Sequence, residues 1–135
     1  MLPTIHHMIT TNGLALDESK LAWFAGRDVE FLFSLDGSCA THGRRRPAPG
    51  GLDTHPRLLA NLRALRRSGA SYFVNLVAHP GESRQWASDL DFVISLGVKR
   101  LQIGYCVGVE WGEEARKEFL AFMETAVERC GRIEL

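Results

Sequence analysis

Four short runs along the chain are rich in β-branched and aromatic residues, the composition typical of β-strands. They cover residues 5–11, 29–35, 71–78 and 98–107. The second run is hydrophobic almost throughout, which predicts a strand covered on both faces, as in a parallel sheet. Asn12-Gly13 and Asp36-Gly37 are turn signals that end the first two runs.

Each of these runs is followed by a stretch whose apolar residues recur at helical spacing. The predicted helices begin at Asp17, at Thr54 or His55, at Ser83 and at Glu113. Glycines that can end a helix follow each of them, namely Gly26, Gly69, Gly97 and Gly131. The last two helices have apolar faces, and we expect burial of Trp86, Leu90, Val93, Ile94, Phe119, Phe122, Met123, Ala126 and Val127.

The element order is β-α-β-α-β-α-β-α, which predicts an α/β fold with a parallel sheet and right-handed crossovers. Residues 38–53 carry glycine, proline and three successive arginines without periodicity, and they are predicted as one long loop. Four βα units are too few to close a barrel, since closed barrels of this kind have about eight strands. We therefore expect one domain over residues 1–135, either an open sheet or a portion of a larger barrel.

Composition narrows the classes of partner. The 135 residues include 16 Lys and Arg against 16 Asp and Glu, so no net charge attracts nucleic acid or an anionic membrane. No apolar stretch reaches the ~20 residues of a spanning helix, and the first residues lack the pattern of a signal peptide. These features predict a cytoplasmic protein. Cys39, Cys106 and Cys130 lie far apart without metal-binding spacing, so we expect three reduced thiols.

Polar side chains cluster where the predicted strands end, at residues 10–13, 34–37, 75–80 and 102–110. In parallel α/β folds, ligands bind at the carboxyl ends of the strands, where the loops converge. Turn formation by Asn-Gly and Asp-Gly pairs explains part of the same pattern. The strand ends are therefore the predicted place for a ligand site, with turn chemistry as the alternative.

Several of these residues recur in order in a known family. The run Ile9-Thr10-Thr11-Asn12-Gly13 is followed by Ser34-Leu35-Asp36-Gly37, by His42 and Arg46, and by Asn61 in the next helix. From about residue 5 to about residue 110, this order resembles the middle of radical S-adenosylmethionine (SAM) enzymes. Within them it is most similar to the peptide- and protein-modifying branch that includes anaerobic sulfatase-maturating (SPASM-type) enzymes. Gly43 stands where the family carries an aspartate, and Ser38 replaces a frequent proline.

The resemblance implies a parallel half-barrel of four βα units, the third to sixth of a TIM-like radical SAM barrel. It also implies that Ser34 and Arg46 hold the carboxylate of S-adenosylmethionine. A guanidinium suits this role because it offers a charge-assisted fork to a planar carboxylate. The alternatives are an Arg46 that is solvated beside two other arginines, and a Ser34 hydroxyl that is bonded to nearby backbone.

The same resemblance assigns two further pairs of residues to S-adenosylmethionine. It places Thr11 and Asn12 near the ribose, or in support of its loop. It matches Gln102 and Ile103 to the stretch that flanks adenine in the family, through backbone and an apolar side chain. No residue is assigned a catalytic role.

Radical SAM enzymes bind a [4Fe-4S] cluster through three cysteines in a CxxxCxxC segment, and this sequence has no such segment. We therefore expect the chain as given to bind no cluster and to cleave no S-adenosylmethionine reductively. Intact relatives would generate a 5′-deoxyadenosyl radical that modifies a peptide or protein. Our leading interpretation is a truncated or partial member that keeps a surface for S-adenosylmethionine.

Two other interpretations of function remain open. One is a noncatalytic module whose exposed sheet edges pair with a second copy or with a partner chain. For the chain in general, the partners we expect are a peptide or protein substrate, a second copy, or a missing N-terminal barrel segment. The other is an unrelated α/β enzyme for small molecules, so the sequence leaves open whether the chain is an enzyme. Among the remaining polar residues, we expect His79 and Glu82 to form turn and cap contacts. Glu110-Trp111 resembles a substrate-facing corner of the family, or it plugs a helix entry.

Overall fold

The computed structural model describes residues 5–131, which form one parallel sheet with α-helices between its strands. The strands are β1 His7–Thr11, β2 Val29–Ser34, β3 Ser71–Ala78 and β4 Leu101–Tyr105. The helices are α1 Glu18–Phe24, α2 Cys39–Arg45, α3 His55–Ser68, α4 Ser83–Ser95 and α5 Glu113–Cys130. The predicted α/β class is confirmed.

The strands lie in the order β1-β2-β3-β4, and every pair is parallel. Their carboxyl ends therefore share one edge of the sheet. Ser34 pairs in register with Asn75, and Asn75 pairs with Gln102. Within residues 5–131, the outer strands β1 and β4 each pair on one side only.

Helices cover one face of this sheet. Phe31, Phe33, Val74 and Leu76 are buried against leucines of α1 and α3. Under α4 and α5, a second cluster joins Ala78, Trp86, Leu90, Phe122 and Ala126. Side chains alternate between the faces of a strand. The other face, which we call the open face, therefore carries Thr10, Leu32, Ser34, Phe73, Asn75, Val77 and Gln102; in a barrel with outer helices this face lines the interior.

The ends of the helices follow the predicted signals at most positions. Asp17 caps α1, since its side chain accepts a hydrogen bond from the Lys20 N–H at 3.1 Å. Pro56 occupies the first turn of α3, and Gly69 ends that helix in a left-handed conformation. At α4 the structure differs, because the cap position is Glu82 rather than Ser83 and its side chain makes no capping bond.

The predicted long loop over residues 38–53 is wrong for its first half, which forms α2, and a 3-10 turn at Pro49–Gly51 follows. This helix has no apolar stripe, so hydrophobic periodicity could not reveal it. Thr41 and His42 are its buried residues. Its inner side is polar, and that is why the sequence pattern resembles a loop.

Other boundaries shift by a few residues. β1 begins at His7 and β4 spans only Leu101–Tyr105, both shorter than predicted. Ile94 and Val127, which we expected inside, are 38% and 37% exposed because they line a groove between α4, α5 and the edge strand. No helix within residues 5–131 is long and apolar enough to cross a membrane. The residues after Gly131 lie outside the described part of the chain.

Candidate ligand site at the strand ends

A row of polar side chains crosses three adjacent strands at the carboxyl edge of the open face. Ser34, Asn75 and Gln102 stand in register on β2, β3 and β4. Ser34 is buried, Asn75 is partly buried and Gln102 is exposed. The row therefore runs from the interior of the site toward its surface and offers one hydroxyl and two carboxamides, groups that both donate and accept hydrogen bonds.

Arg46 reaches the same edge through an ion pair with Asp36, two residues after Ser34. Arg46 Nε donates to Asp36 Oδ2 at 2.6 Å. The Asp36 side chain is 3% exposed, whereas the Arg46 side chain is 35% exposed. Within residues 5–131, the two terminal amino groups of Arg46 have no hydrogen-bond acceptor. The pair thus presents a fixed guanidinium that can still bind an anion.

Buried polar groups underlie the turn between β2 and α2. Asp89 of α4 accepts a hydrogen bond from the Ser38 N–H at 3.1 Å. The Gly37 carbonyl lies 3.2 Å from His55 Nε2, and the Asp36 N–H donates to His42 Nδ1 at 3.4 Å. Burial lowers the pKa of His42, although the Asp36 carboxylate opposes this effect. The turn is therefore held from α2, α3 and α4 at once.

Gly37 is required at this turn for two reasons. Its φ of 120° lies in the region that only glycine adopts readily. A Cβ at this position would also overlap the Asp89 side chain. The close approach of the main chain to the buried Asp89 carboxylate explains why a glycine occupies this position after β2.

Arg45 anchors α2 to the turn after β3. Its Nε donates to Glu82 Oε2 at 2.8 Å, and its Nη1 donates to the Val77 carbonyl at 2.6 Å. The Arg45 side chain is only 6% exposed. Burial alone would raise the pKa of Glu82, but the hydrogen bond and charge of Arg45 outweigh it, so the pKa of Glu82 is lowered. The expected cap role of Glu82 is thus replaced by an ion pair.

Thr11 and Asn12 use their side chains within their own turn. Thr11 Oγ1 accepts from the Gly13 N–H at 3.0 Å, and Asn12 Oδ1 accepts from the Leu14 N–H at 3.2 Å. Asn61 of α3 donates to the Gly13 carbonyl at 2.8 Å and braces the same turn. Both residues lie at the strand-end edge, where the sequence placed them, and their observed bonds are those of turn residues.

Gln102 and Ile103 lie on opposite faces of β4. Gln102 belongs to the open face, in register with Asn75. The Ile103 side chain packs against both core clusters on the helix-covered face. An adenine contact proposed for Ile103 is therefore left to its main chain, since its side chain points into the core.

The Trp111 ring closes the core at the entry to α5. Its Nε1 donates to the Cys106 carbonyl at 2.9 Å, and its ring lies 6.1 Å from that of Trp86 and 5.5 Å from that of Phe119. Of the two roles weighed for this position, the structure supports the plug.

Sequence reasoning missed three contributors to the site: His55, Asp89 and Arg45. Asp89 had a detectable signal, because it is a charged residue at i+3 from Trp86 on an otherwise apolar helix face. The sequence marks His55 only as a helix start. Arg45 had no signal, since the three arginines differ only in which side chain each contacts.

The described residues do not fit an iron–sulfur cluster. Cys39, Cys106 and Cys130 are all free. Within residues 5–131, no three His, Cys, Asp or Glu side chains come together as a metal site. The Arg46 guanidinium is instead suited to a small organic anion, because its terminal amino groups are unbonded among these residues.

Comparison with solved structures identifies the fold. The chain is similar to native anSMEcpe with bound AdoMet (S-adenosylmethionine) and Kp18Cys peptide, with a TM-score of 0.79 and 19% identity over 92% of this chain. His6-tagged anSMEcpe with bound AdoMet gives a TM-score of 0.78 at the same identity. The chain shares the fold of these enzymes over most of its own length. The resemblance seen in the motifs is confirmed at the level of the fold.

The match covers most of this chain but only part of each solved structure. The chain covers 36% and 34% of the two anSMEcpe chains, about a third of their length. No protein-family model matches the sequence. The four βα units thus have the fold of one part of a radical SAM barrel.

Proposed function

We propose that this chain is a portion of a radical SAM barrel whose strand ends bind the amino-acid end of S-adenosylmethionine. One observation carries the proposal: Arg46 is fixed by Asp36 while its two terminal amino groups have no acceptor within residues 5–131. A planar carboxylate is the group that this arrangement binds best. The solved structures with this fold were obtained with bound AdoMet, which supports the choice of ligand.

The other residues act around that anchor. The Ser34 hydroxyl is the proposed second donor to the carboxylate. Thr11 and Asn12 support the ribose-side loop through their turn, and Gln102 with the Ile103 main chain borders the adenine. In the family, bound S-adenosylmethionine is the source of the radical that starts the reaction. No catalytic step is assigned to this chain, because its described residues do not fit the [4Fe-4S] cluster.

The proposal also covers the substrate class, the domain bounds and the cellular location of the protein. A peptide or protein is the proposed substrate of the whole protein to which this chain corresponds, because anSMEcpe was solved with bound peptides. A single domain over residues 1–135 and a cytoplasmic location belong to the same proposal. The balance of 16 basic and 16 acidic residues supports a partner that is neither nucleic acid nor membrane.

Calorimetry with two ligands tests the carboxylate contact. 5′-Methylthioadenosine shares the nucleoside with S-adenosylmethionine but lacks the amino-acid end. We expect wild type to bind S-adenosylmethionine more tightly, and Arg46→Ala to weaken that binding about 10- to 100-fold without changing the binding of 5′-methylthioadenosine. Equal affinity of wild type for the two ligands contradicts the proposal.

Arg44→Ala is the matched control, since Arg44 is exposed and lies 3.6 Å from Glu82 rather than at Asp36. It should leave both affinities unchanged. Arg46→Ala also removes the partner of a buried carboxylate, which lowers stability. Arg46→Lys keeps the positive charge for Asp36 but lacks the planar fork, so it should weaken S-adenosylmethionine binding in a folded protein.

A second function is favoured by the edges of the sheet. β1 and β4 each pair on one side only within residues 5–131, and Met8 and Tyr105 on these strands are 60% and 59% exposed. Unpaired strand edges are templates for pairing with another chain. The alternative proposal is therefore a noncatalytic module that associates through β1 or β4.

Light scattering after size exclusion tests this alternative. The Cys106 N–H bonds the Ala78 carbonyl, so by alternation the Tyr105 N–H points away from β3. Tyr105→Pro removes that outward donor. We expect wild type to form a dimer and Tyr105→Pro to shift it toward monomer, with thermal unfolding as the check on folding. A wild-type monomer at high concentration contradicts the alternative.

A further inference from the structure

We infer that Asp36 is a positioning residue, which sets the direction of the Arg46 guanidinium toward the ligand; the inference rests on the proposed function. Asp36 Oδ2 accepts from Arg46 Nε at 2.6 Å, and the carboxylate is buried while the guanidinium is partly exposed. A guanidinium is planar and rigid, so a bond at Nε fixes the plane and the direction of the terminal amino groups.

The main chain of Arg46 also starts from a fixed point. α2 ends at Arg45, and Arg46 leaves the helix with φ −130° and ψ 63° while its N–H donates to the His42 carbonyl at 2.8 Å. From there, several rotatable bonds separate the main chain from the guanidinium. Asp36 therefore restricts the part of the side chain that the helix end leaves free.

Asp36 is itself held rigidly on its inner side. Its N–H donates to His42 Nδ1, and the carbonyl of the next residue, Gly37, lies 3.2 Å from His55 Nε2. Both imidazoles are buried, with ring centres 5.6 Å apart. The carboxylate thus stands on a packed polar base rather than on a mobile loop, as a group that orients another must.

The neighbouring arginine shows what a purely structural contact looks like here. Arg45 directs Nε, Nη1 and Nη2 to Glu82 and the Val77 carbonyl, so each of its three nitrogens has an acceptor within the protein. Arg46 gives one donor to Asp36 and keeps the others. The two adjacent arginines therefore differ in role. Arg45 holds α2 against the turn after β3, whereas Arg46 is oriented by Asp36 with its terminal amino groups available to a ligand.

NMR of the arginine Nε–H groups in the ¹⁵N-labelled protein tests the hydrogen bond between Asp36 and Arg46 without any ligand. The Arg46 Nε–H of wild type should give a signal protected from exchange with water, and Asp36→Ala should remove that protection while the Arg45 signal is unchanged. Asp36→Asn tests the same contact with the side-chain shape retained. Protection of Arg46 that persists in both folded variants overturns the inference.

Calorimetry tests the consequence for binding. Asp36→Ala should weaken S-adenosylmethionine about 3- to 10-fold, the range expected when a side chain must be ordered on binding, and leave 5′-methylthioadenosine unchanged. Added to Arg46→Ala, it should have no further effect on S-adenosylmethionine, because the residue it positions is gone. Asp91→Asn, at an exposed carboxylate paired with Arg129, is the matched control.

The two proposals fail differently. If wild type binds both ligands equally, the carboxylate site is wrong, and the Nε–H signal still supports or overturns the hold of Asp36 on Arg46. If wild type prefers S-adenosylmethionine through Arg46 but Asp36→Ala binds it as tightly as wild type does, the site stands and the positioning role of Asp36 is overturned.

Discussion

Arg45 Nε donates to Glu82 Oε2 at 2.8 Å, and this ion pair joins α2 to the turn that follows β3. The guanidinium is almost completely buried, whereas the carboxylate is partly exposed. Removing Glu82 leaves a buried charge whose one remaining partner among residues 5–131 is the Val77 carbonyl. α2 has no apolar stripe, so this pair has a large share in holding the helix against the sheet.

Glu82→Gln should therefore lower the free energy of unfolding by about 2 kcal/mol, measured by urea denaturation. Glu118→Gln is the control, because Glu118 is exposed on α5. The pKa of Glu82 is lowered in the folded protein, so the stability that the pair contributes is present above pH 4.5 and is lost as the pH falls through the folded pKa. An unchanged midpoint in Glu82→Gln would contradict this account of α2.

Gly37→Ala should be among the most destabilising glycine substitutions in the chain. It combines a positive φ with overlap of the new Cβ and the buried Asp89 side chain. Gly50→Ala separates the two effects, because Gly50 has φ 71° and open space around it. We expect about 1 kcal/mol for Gly50→Ala and more than about 3 kcal/mol for Gly37→Ala. Equal losses in thermal unfolding would show that the approach of Asp89 has no cost.

Acid should destabilise the protein through His42. Burial lowers the pKa of His42 from its ordinary value of 6.5. Below pH 6.5 the unfolded chain takes up a proton that the folded chain refuses, so stability falls as the pH is lowered from 6.5 through the folded pKa. The unfolding temperature of wild type should drop between pH 7.5 and pH 5.5, and His42→Asn should drop less. His7→Asn, at an exposed position, should behave as wild type does.

Cys39 should react slowly with alkylating agents although it is exposed. Loss of solvation and then the Asp53 carboxylate, 3.7 Å from Sγ, raise the pKa of the Cys39 thiol. Asp53→Asn should increase the fraction of thiolate and speed the reaction with iodoacetamide at pH 8, followed by mass spectrometry. Cys130 in the same chain is the internal reference. A Cys39 rate that is unchanged relative to Cys130 would contradict the effect of Asp53.

The parts of the fold that hydrophobic periodicity determines were predicted well. β3 and α5 have their predicted starts, and α3 begins at His55 and ends before Gly69 as expected. In these elements, burial, helix caps and glycine conformations all indicate the same boundary. α2 was missed because its buried side is polar, so no pattern of apolar residues marks it.

The strand ends that carry the candidate residues were predicted from the sequence, but the contacts of these residues were not, and their role in binding a ligand stays a prediction. The predicted strand boundaries put Ser34 and Gln102 near the carboxyl ends of parallel strands, and the structure has both residues at that edge of the sheet. The partners of Arg45 and Arg46 could not be predicted, because they depend on which carboxylate lies within reach across 37 and 10 residues of chain. Such pairings follow from the tertiary structure rather than from local sequence.

The alternation of side chains along β2 and β3 places apolar core residues and polar site residues on opposite faces of the sheet. Phe33 and Val74 pack under the helices, while the neighbouring Ser34 and Asn75 belong to the polar row on the other side. The polar row can therefore change its donors and acceptors while the packing beneath the helices stays the same. Substitutions of the exposed Gln102 should therefore alter the ligand contacts with little effect on folding, whereas the buried Ser34 allows fewer changes.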